Sequence, residues 1–317
     1  MKYKYLSTLL LVGLVSCSTN KFAHSSGFFS FNTRVEINFN EGSNEDLQEI
    51  ERIIKYYDKL TDNYSKRDIN NVYTINTTNE EVEINEDLYK LLKTSFNAKN
   101  EGAYYFNPLC GSLSKKWKES LTKKEVLSDL VIGEELEKID NSSLIFLDNN
   151  IVKRMGEAEI DLGAIAKGYC LDIIKDYMVS KEINQYIISA GSSSILLGEK
   201  NSEDKFYSVE LNDIKGTYFM AKNCFVSTSG TSEQGVKINN VTYSHIINPY
   251  TGSAINEHDA VIVINDKGYL GDALSTSLMM NTVDEIKEIE NDLSIKTIVI
   301  KDKKIIYHHP EIEVLHR

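Results

Sequence analysis

Apolar positions along the chain follow two different periods, and the change of period separates predicted strands from predicted helices. Val35, Ile37 and Phe39 alternate with polar residues, which predicts a strand. Ser43 then has the character of a helix N-cap with an acid three residues later, and apolar residues continue at helical spacing over residues 47–60. This second segment is predicted to be a long amphipathic helix.

The same patterns predict further elements downstream. Helical spacing predicts helices at residues 88–96, 165–178, 271–280 and 283–289. Short apolar runs predict strands at residues 186–190, 206–211, 217–221, 260–264, 296–300 and 304–308. This mixture indicates an α+β protein with mixed sheets and packed helices, or an α/β protein with mixed sheets.

The start of the chain has the pattern of an export signal. Two lysines precede an apolar run over residues 9–15, which is too short to span a bilayer. The run leads to Cys17, as in bacterial lipoproteins, although a plain signal peptide with a chance cysteine has the same pattern. We expect residues 1–16 to be removed, Cys17 to carry lipid, residues 17–31 to form a tether and residues 32–317 to form the domain. The protein would then be anchored outside the cytoplasm of a bacterium.

The net charge of the chain argues against nucleic acid as a partner. The 317 residues have a formal net charge of −12, and loss of residues 1–16 would remove two lysines and change it to −14. An acidic protein is poorly suited to nucleic acid, because phosphate backbones attract basic surfaces. A small anionic ligand stays possible, since a local site can be positive in an acidic protein.

Residues 159–169 place Asp161, Gly163 and Lys167 around a predicted helix start. The free N–H groups and positive dipole end of such a start suit phosphate, and Lys167 adds a mobile charge. The alternative is an N-cap aspartate and a surface lysine. Small residues at 189–194 would let a ligand approach the backbone closely, although such a run is also typical of a turn.

Two later segments also carry reactive side chains. His245 precedes an Asn-Pro-Tyr-Thr-Gly turn, and histidine suits proton transfer near neutral pH, although a single histidine at a strand end is often structural. Asp272 and Thr276 are four residues apart and share one helix face, where their oxygens would suit Mg²⁺. A first-turn acid and a back-bonded threonine would give the same spacing.

Taken together and in order, these segments resemble the ApbE family, the FAD:protein FMN transferases. The similarity rests on D-L-G-A-I-A-K-G-Y at 161–169, a strand ending in A-G at 190–191, T-S-G at 228–230, H-I-I-N-P-Y-T-G at 245–252 and G-D-A-L-S-T at 271–276. An upstream G-A-Y-Y-F-N-P-L segment at 102–109 resembles the family's glycine–phenylalanine–aspartate–proline segment. The resemblance runs from about residue 33 to 310, and many members are exported lipoproteins.

The resemblance implies a T-fold-like flavin transferase fold and an enzyme that uses FAD as substrate and Mg²⁺ as cofactor. Such enzymes transfer FMN to a threonine or serine hydroxyl of a target protein and release AMP. The expected partners are FAD and target proteins that carry a flavinylation motif, among them membrane redox complexes. Two alternatives stay open: Mg²⁺-dependent hydrolysis of FAD to FMN and AMP, as in some members, and a non-catalytic FAD-binding lipoprotein.

The resemblance also implies roles for single residues. Asp272 and Thr276 would bind Mg²⁺ through side-chain oxygens, and Ala164 would bind it through its backbone carbonyl. Asp161 and Lys167 would lie near the pyrophosphate of FAD. Catalytic roles fall to Lys167 for charge and to His245, ahead of Asp161, as base. The remaining predicted FAD contacts are Tyr64, Ala103, Phe106, Asn107, Gly191, Ser229, His245, Ile246 and Ile247.

The chain departs from the family pattern at several positions. Asn107 and Asn248 replace aspartates, and Ser192 stands where a second glycine is usual. Many members place an aromatic ring against the flavin, and either Asn63 or Tyr64 could fill that position. If Asn63 fills it, the pocket is more open, and hydrolysis of FAD becomes more favourable.

Overall fold

The computed structural model describes residues 22–200, 205–231, 235–239, 241–255 and 257–317. The predicted signal peptide and Cys17 lie outside the described residues. The helices are α1 (Asn44–Thr61), α2 (Val72–Asn76), α3 (Glu86–Asn97), α4 (Gly111–Thr122), α5 (Asp129–Asp140), α6 (Ala166–Ser180), α7 (Gly268–Leu278) and α8 (Val283–Leu293), with a 3-10 helix at Ala98–Glu101. None of the helices in these ranges is both long enough and apolar enough to cross a bilayer.

Most of the described strands lie in the second half of the chain. The strands are β1 (His24–Ser30), β2 (Thr33–Phe39), β3 (Glu81–Glu83), β4 (Ser143–Phe146), β5 (Ile151–Met155), β6 (Tyr186–Ala190), β7 (Ser194–Leu197), β8 (Tyr207–Glu210), β9 (Thr217–Ala221), β10 (Cys224–Gly230), β11 (Val236–Ile238), β12 (Val241–Tyr243), β13 (Ala260–Asn265), β14 (Lys296–Lys301), β15 (Lys304–His308) and β16 (Val314–His316). Among the described residues, β6 to β13 follow one another without an intervening helix.

An eight-stranded sheet in the order β1-β2-β6-β7-β10-β13-β14-β15 forms the centre of the molecule. Each of its pairings is antiparallel, as are those of β16-β9-β8, β3-β5-β4 and the hairpin β11-β12. The predicted α+β class is therefore confirmed. The described sheets are antiparallel, however, and not of the mixed kind that we expected.

The two faces of the central sheet are covered by different layers. One face packs against α1, α6 and α7, and Val35, Ile37 and Val263 lie in that core. The opposite face packs against the sheet β16-β9-β8, where Phe219, Val226 and other apolar side chains form a second core. Because both faces are covered, all five residues of β6 and all four of β7 are buried. This explains why these strands have no polar face in the sequence.

The N-terminal boundary of the domain differs from the predicted one. Residues 24–30, which we assigned to the tether, form β1 and pair with β2 along its whole length. Phe31 and Asn32 connect the two strands with φ values of 48° and 59°, as a tight primed hairpin turn requires. Residues 24–30 therefore belong to the folded domain, which starts before residue 32.

The predicted N-terminus of α1 is confirmed in detail. Ser43 accepts a hydrogen bond from the backbone N–H of Asp46, whose carboxylate accepts one from the N–H of Ser43. This capping box satisfies two of the free groups at the helix start. Helix α7, in contrast, begins three residues earlier than predicted, because the apolar pattern gave no signal for its first turn.

Candidate active site

Helices α6 and α7 cross at two glycines, and this crossing sets the position of the predicted metal-binding residues. A Cβ atom on Gly168 would lie 2.1 Å from the carbonyl oxygen of Gly268 and 2.9 Å from Cγ of Asp272. A Cβ atom on Gly268 would lie 2.3 Å from the carbonyl oxygen of Gly168. Only glycine permits this approach, so the first turn of α6 is held directly against the first turns of α7.

Asp272 lies at this crossing and is 5% exposed. Its Oδ2 accepts a hydrogen bond from the backbone N–H of Gly168 at 2.7 Å. Its Oδ1 accepts hydrogen bonds from the hydroxyls of Ser194 and Ser227, both at 2.8 Å. The carboxylate therefore joins α6, α7, β7 and β10, and its orientation is fixed from three sides.

Burial raises the pKa of Asp272, because the charged form loses its hydration. The nearby charge of Lys167 and the three hydrogen bonds act in the opposite direction, but they do not cancel the effect of burial. A buried negative charge that is only partly compensated is the environment in which a cation binds favourably.

Thr276 lies one turn further along α7 and meets β10. Its Oγ1 is 2.9 Å from Oγ of Ser229, which also lies 3.0 Å from Oγ of Ser275. Two residues predicted to act at the site, Thr276 and Ser229, are therefore in direct contact. Ala164, the third predicted metal ligand, lies in the loop before α6, four residues from the Gly168 N–H that binds Asp272.

Helix α7 thus presents two hard oxygen groups, the carboxylate of Asp272 and the hydroxyl of Thr276, and Ala164 precedes by four residues the glycine that binds Asp272. This is the ligand chemistry that Mg²⁺ accepts, since it binds to one or two protein oxygens and keeps several waters. In the part of the chain that the structure describes, no group of three or more histidine, cysteine, aspartate or glutamate side chains has metal-binding geometry. The candidate site contains a single carboxylate.

Asp161 lies in the loop before α6 and Lys167 in the first turn of α6, and both are half-buried. The ammonium group of Lys167 is 3.3 Å from the carbonyl oxygen of Gly163. The carboxylate of Asp161 accepts the N–H of Gly163 at 2.7 Å, and its own backbone N–H donates to the carbonyl of Pro108 at 2.8 Å. Asp161 therefore both shapes the loop and joins it to the 102–109 segment.

The 102–109 segment contacts α7 as well. The backbone N–H of Tyr105 donates to Oγ of Ser277 at 2.9 Å. Ala103 is fully buried and Phe106 is 5% exposed, so both lie behind the surface of the site. Asn107 is half-buried, and its side-chain oxygen accepts the N–H of Leu109 at 3.0 Å. Their contacts with FAD stay predictions.

Gly191 and the turn after β12 contain further residues that were predicted to contact FAD. Gly191 has a φ of 69° in the turn between β6 and β7, three residues before Ser194. His245 is exposed, Ile246 is buried and Ile247 is half-buried. The turn after them contacts the 102–109 segment, because the hydroxyl of Tyr250 donates to the carbonyl of Tyr104 at 3.0 Å. The roles of Gly191 and of residues 245–247 stay predictions.

Asn63 and Tyr64 are in opposite environments. Asn63 is 5% exposed, and its Nδ2 atom is buried without a hydrogen-bond partner among the described residues. Tyr64 is 56% exposed, and the ammonium groups of Lys115 and Lys118 lie 4.9 and 5.3 Å from its ring centroid. Partial burial raises the pKa of Tyr64, and the negative charge of Asp161 adds to this. Of these two neighbours, Tyr64 and not Asn63 therefore has its side chain at the surface, near Asp161.

Three residues that position Asp272 were not predicted to do so. Ser194 belongs to the run of small residues that we noted only for its backbone, and Ser227 precedes the T-S-G segment. Gly168 was visible only as the glycine after Lys167. Gly168 and Ser194 lie inside segments that we selected, and Ser227 directly precedes one. Their convergence on one carboxylate depends on how β7, β10 and α6 pack, which has no local signal in the sequence.

Comparison with known proteins shows the family and the fold of the chain. A model of the ApbE family matches residues 31–299. The chain belongs to the ApbE family. Its relatives named FAD:protein FMN transferase include one from Buchnera aphidicola, 26% identical over 275 residues, which cover 81% of this chain and 79% of the relative. Another, from Rhodobacter capsulatus, is 24% identical over 239 residues, which cover 73% of this chain and 45% of the relative.

A third relative of that name, from Vibrio cholerae, is 32% identical over 145 residues, which cover 42% of this chain and 41% of the relative. The chain thus spans about half the length of several curated ApbE relatives that it matches.

Solved ApbE structures share the fold. The ApbE protein from Thermotoga maritima has a TM-score of 0.77 at 24% identity and covers 92% of this chain and 96% of its own. The apo form of the flavinyl transferase ApbE from Pseudomonas stutzeri has a TM-score of 0.75 at 18% identity and covers 90% of this chain and 94% of its own. The expected ApbE-like fold is therefore confirmed.

Proposed function

We propose that this ApbE-family protein is a Mg²⁺-dependent FAD:protein FMN transferase. It would transfer the FMN half of FAD to a threonine or serine hydroxyl of a target protein and release AMP. The observation that carries the proposal is the convergence of four segments on the buried carboxylate of Asp272, where α7 meets the first turn of α6. Family membership and the name shared by the relatives support the choice of substrate.

The residues at the crossing fit a magnesium ion. Asp272 and Thr276 offer side-chain oxygens, and Ala164 offers its carbonyl. Mg²⁺ bound there would supply Lewis-acid stabilisation of the negative charge on the phosphate oxygens. Binding of a cation would also relieve the unfavourable burial of the Asp272 carboxylate, which raises the pKa of that group in the isolated chain.

The transfer needs a balanced displacement at phosphorus. The acceptor oxygen forms a bond to the FMN phosphorus, the bond to the AMP phosphate breaks, and AMP leaves with the electron pair. The acceptor proton passes to a base, for which His245 and then Asp161 are the candidates. Lys167 lies in the first turn of α6 and would offset charge on the phosphates as the displacement proceeds.

The position of Tyr64 bears on the choice between transfer and hydrolysis. Its ring is at the surface near Asp161, whereas the Asn63 side chain is buried. Tyr64 is therefore the residue available to stack on the flavin, and a stacked ring would shield the reacting phosphate from water. This supports transfer over hydrolysis of FAD.

A product assay tests the proposed function. The protein, without residues 1–16, is incubated with FAD and Mg²⁺, with and without a peptide that carries a flavinylation motif. We expect covalent flavin fluorescence on the peptide, equimolar AMP and no turnover when EDTA removes the metal. FMN and AMP in equal amounts without the peptide would instead indicate a hydrolase, and unchanged FAD under both conditions would indicate a binding protein.

We propose further that the enzyme is a lipoprotein anchored on the outer side of a bacterial membrane. The sequence pattern up to Cys17 supports this, and several acyl chains on one residue give stable anchoring. A Cys17→Ser variant expressed in a bacterial host should move from the membrane fraction to the soluble extracytoplasmic fraction. If wild type itself is recovered unmodified in the cytoplasm, the localisation is wrong while the catalytic proposal is unaffected.

A further inference from the structure

A group of exposed tyrosines lies beside the candidate site and is not used by the proposed chemistry. It consists of Tyr104 and Tyr105 from the 102–109 segment, Tyr250 from the turn after His245, and Lys99 from the 3-10 helix. We call these four residues the tyrosine platform. Tyr104 is 52% exposed and Tyr250 is 54% exposed, whereas Tyr105 is half-buried.

The platform is held in one arrangement by its internal contacts. The hydroxyl of Tyr250 donates to the carbonyl of Tyr104 at 3.0 Å. The rings of Tyr105 and Tyr250 meet edge to face, with centroids 5.7 Å apart and planes at 79°. The ammonium group of Lys99 lies 5.2 Å from the Tyr250 ring centroid. Because these contacts fix the rings of Tyr105 and Tyr250 and the backbone of Tyr104, a partner that binds here orders few groups and loses little conformational entropy.

The platform is connected directly to the helix that carries the predicted metal ligands. The backbone N–H of Tyr105 donates to Ser277, the residue after Thr276. Tyr250 belongs to the turn that begins three residues after His245, and this turn is closed by Asn248, whose side-chain oxygen accepts the N–H groups of Tyr250 and Thr251. The exposed rings therefore form part of the rim of the candidate site.

A transferase needs a surface for its protein acceptor as well as a pocket for its nucleotide, because the acceptor hydroxyl must be held in line with the phosphorus. Tyrosine is enriched at the centres of protein interfaces, since its ring offers a large apolar face and a polar end. Lys99 adds a positive charge, and among the described residues it forms no ion pair with a carboxylate. The chemistry of the platform thus fits a peptide segment with apolar and acidic side chains.

We propose that the tyrosine platform is the docking surface for the acceptor protein, and that it binds the segment next to the hydroxyl that receives FMN. The proposal rests on the proposed transferase function. It assigns to Tyr104, Tyr250 and Lys99 a role in recognition of the acceptor and none in the binding of FAD or metal. The competing occupant is the adenine ring of FAD, which could stack on the same tyrosines.

The test compares acceptor binding with FAD binding in a Tyr104→Ser/Tyr250→Ser double variant. The probe is a domain that carries a flavinylation motif, used unreacted for kinetics and with its acceptor threonine changed to alanine for direct binding. We expect the KM for the acceptor domain and its Kd to rise at least about tenfold, as for loss of interface hot spots, while the Kd for FAD stays within about twofold. Val179→Ser, which removes a 66% exposed apolar side chain at the end of α6, is the matched control and should change neither.

Lys99→Gln should weaken acceptor binding less and should reduce its dependence on salt, because an exposed charge is screened at high ionic strength. An unchanged acceptor Kd in the double variant, with wild type active, would overturn the proposal. An equal loss of FAD affinity would also overturn it and assign the platform to the nucleotide. If wild type transfers no FMN and binds no acceptor domain, the proposed function fails first, and the docking surface fails with it.

Discussion

Asp272 is the residue on which most of the account depends, and its environment is unusual. Carboxylates are seldom buried to this degree unless a cation compensates for them. Here the carboxylate accepts two hydroxyl hydrogen bonds and one backbone hydrogen bond, and its pKa is still raised by burial. Such a residue is costly for a folded chain without a ligand, so its presence favours a binding role over a structural one.

The two serine hydroxyls predict a pH effect. Ser194→Ala and Ser227→Ala each remove a donor that stabilises the charged form of Asp272, so the pKa of that carboxyl should rise in either variant. If ionised Asp272 holds the metal, the acidic limb of the pH–rate profile should move to higher pH, with activity recovered at alkaline pH. The measurement is kcat/KM for FAD against pH at saturating Mg²⁺. A uniform loss of activity at every pH would contradict this positioning role.

The glycine contact between α6 and α7 predicts a stability effect. In Gly168→Ala the new methyl group would meet the Gly268 carbonyl and Asp272, so we expect a loss of roughly 1–3 kcal/mol of unfolding free energy and weaker metal binding. Gly133→Ala in α5 is the control, because no atom lies within 4 Å of the added Cβ. It should gain about 0.5–1 kcal/mol from helix propensity. Chemical denaturation measures the unfolding free energy of each variant. Equal stability of Gly168→Ala and Gly133→Ala would contradict the close contact between α6 and α7.

At the scale of elements, α7 is held at its N-terminus by a side chain from α6. The carboxylate of Asp172 accepts the N–H groups of Gly268 and Tyr269, both at 2.7 Å, and so takes the place of an N-cap residue. Burial raises the pKa of Asp172 from an ordinary value of 3.8 to about 6, despite these hydrogen bonds. Helix α7 is thus positioned by α6 at both Gly168 and Asp172.

This shift predicts how stability depends on pH. Between pH 4 and 6 the folded chain retains the Asp172 proton while the unfolded chain releases it, so the contribution of this group to stability falls as pH rises through that window. A shift of this size corresponds to about 3 kcal/mol at most. Asp172→Asn keeps one acceptor but cannot titrate, so its unfolding free energy should fall less over the same range. Parallel curves for the variant and wild type would contradict the assignment.

Strand β1 gives a second prediction at this scale. A chain that begins at residue 32, the boundary expected from the sequence, would lose β1 and expose the edge of β2, whereas a chain that begins at residue 22 would keep the pair. The shorter form should melt at a lower temperature and aggregate more readily, because an unpaired strand edge invites pairing with other chains. Thermal unfolding measures the melting temperature of the two forms, and light scattering measures their aggregation. Identical behaviour would mean that β1 contributes little to the fold.

Helices and strands with a clear local pattern of apolar residues were predicted well, and those with a weak pattern were missed. The strands at 186–190, 217–221 and 304–308 were predicted with the observed bounds, because each apolar run ends at polar or glycine residues. Helices α4 and α5 and the sheet β3-β5-β4 were missed. Their apolar positions are few, and exposed residues such as Leu130 weaken the helical period. Strand β1 was missed because its sequence is dominated by small and polar residues.

At the scale of the whole molecule, the central sheet brings distant segments of the chain to one place. Strands β7, β10 and β13 are neighbours in the sheet, so Ser194, Ser227 and α7 meet although they are far apart in sequence. The family motifs identified the segments of the site, but not the contacts within it. The direct contact of Ser229 with Thr276 and the hydrogen bonds to Asp272 depend on this packing, which no local period encodes.

The metal dependence of FAD turnover tests the central claim most directly. The rate of AMP release is measured against Mg²⁺ concentration for wild type, Asp272→Asn, Thr276→Val and, as a control for loss of a surface charge, Asp140→Asn at the end of α5. Thermal unfolding verifies that each variant is folded. Asp272→Asn should lose at least about 100-fold in rate, Thr276→Val should need more Mg²⁺, and Asp140→Asn should match wild type. A folded Asp272→Asn variant with the rate and Mg²⁺ dependence of wild type would contradict the account.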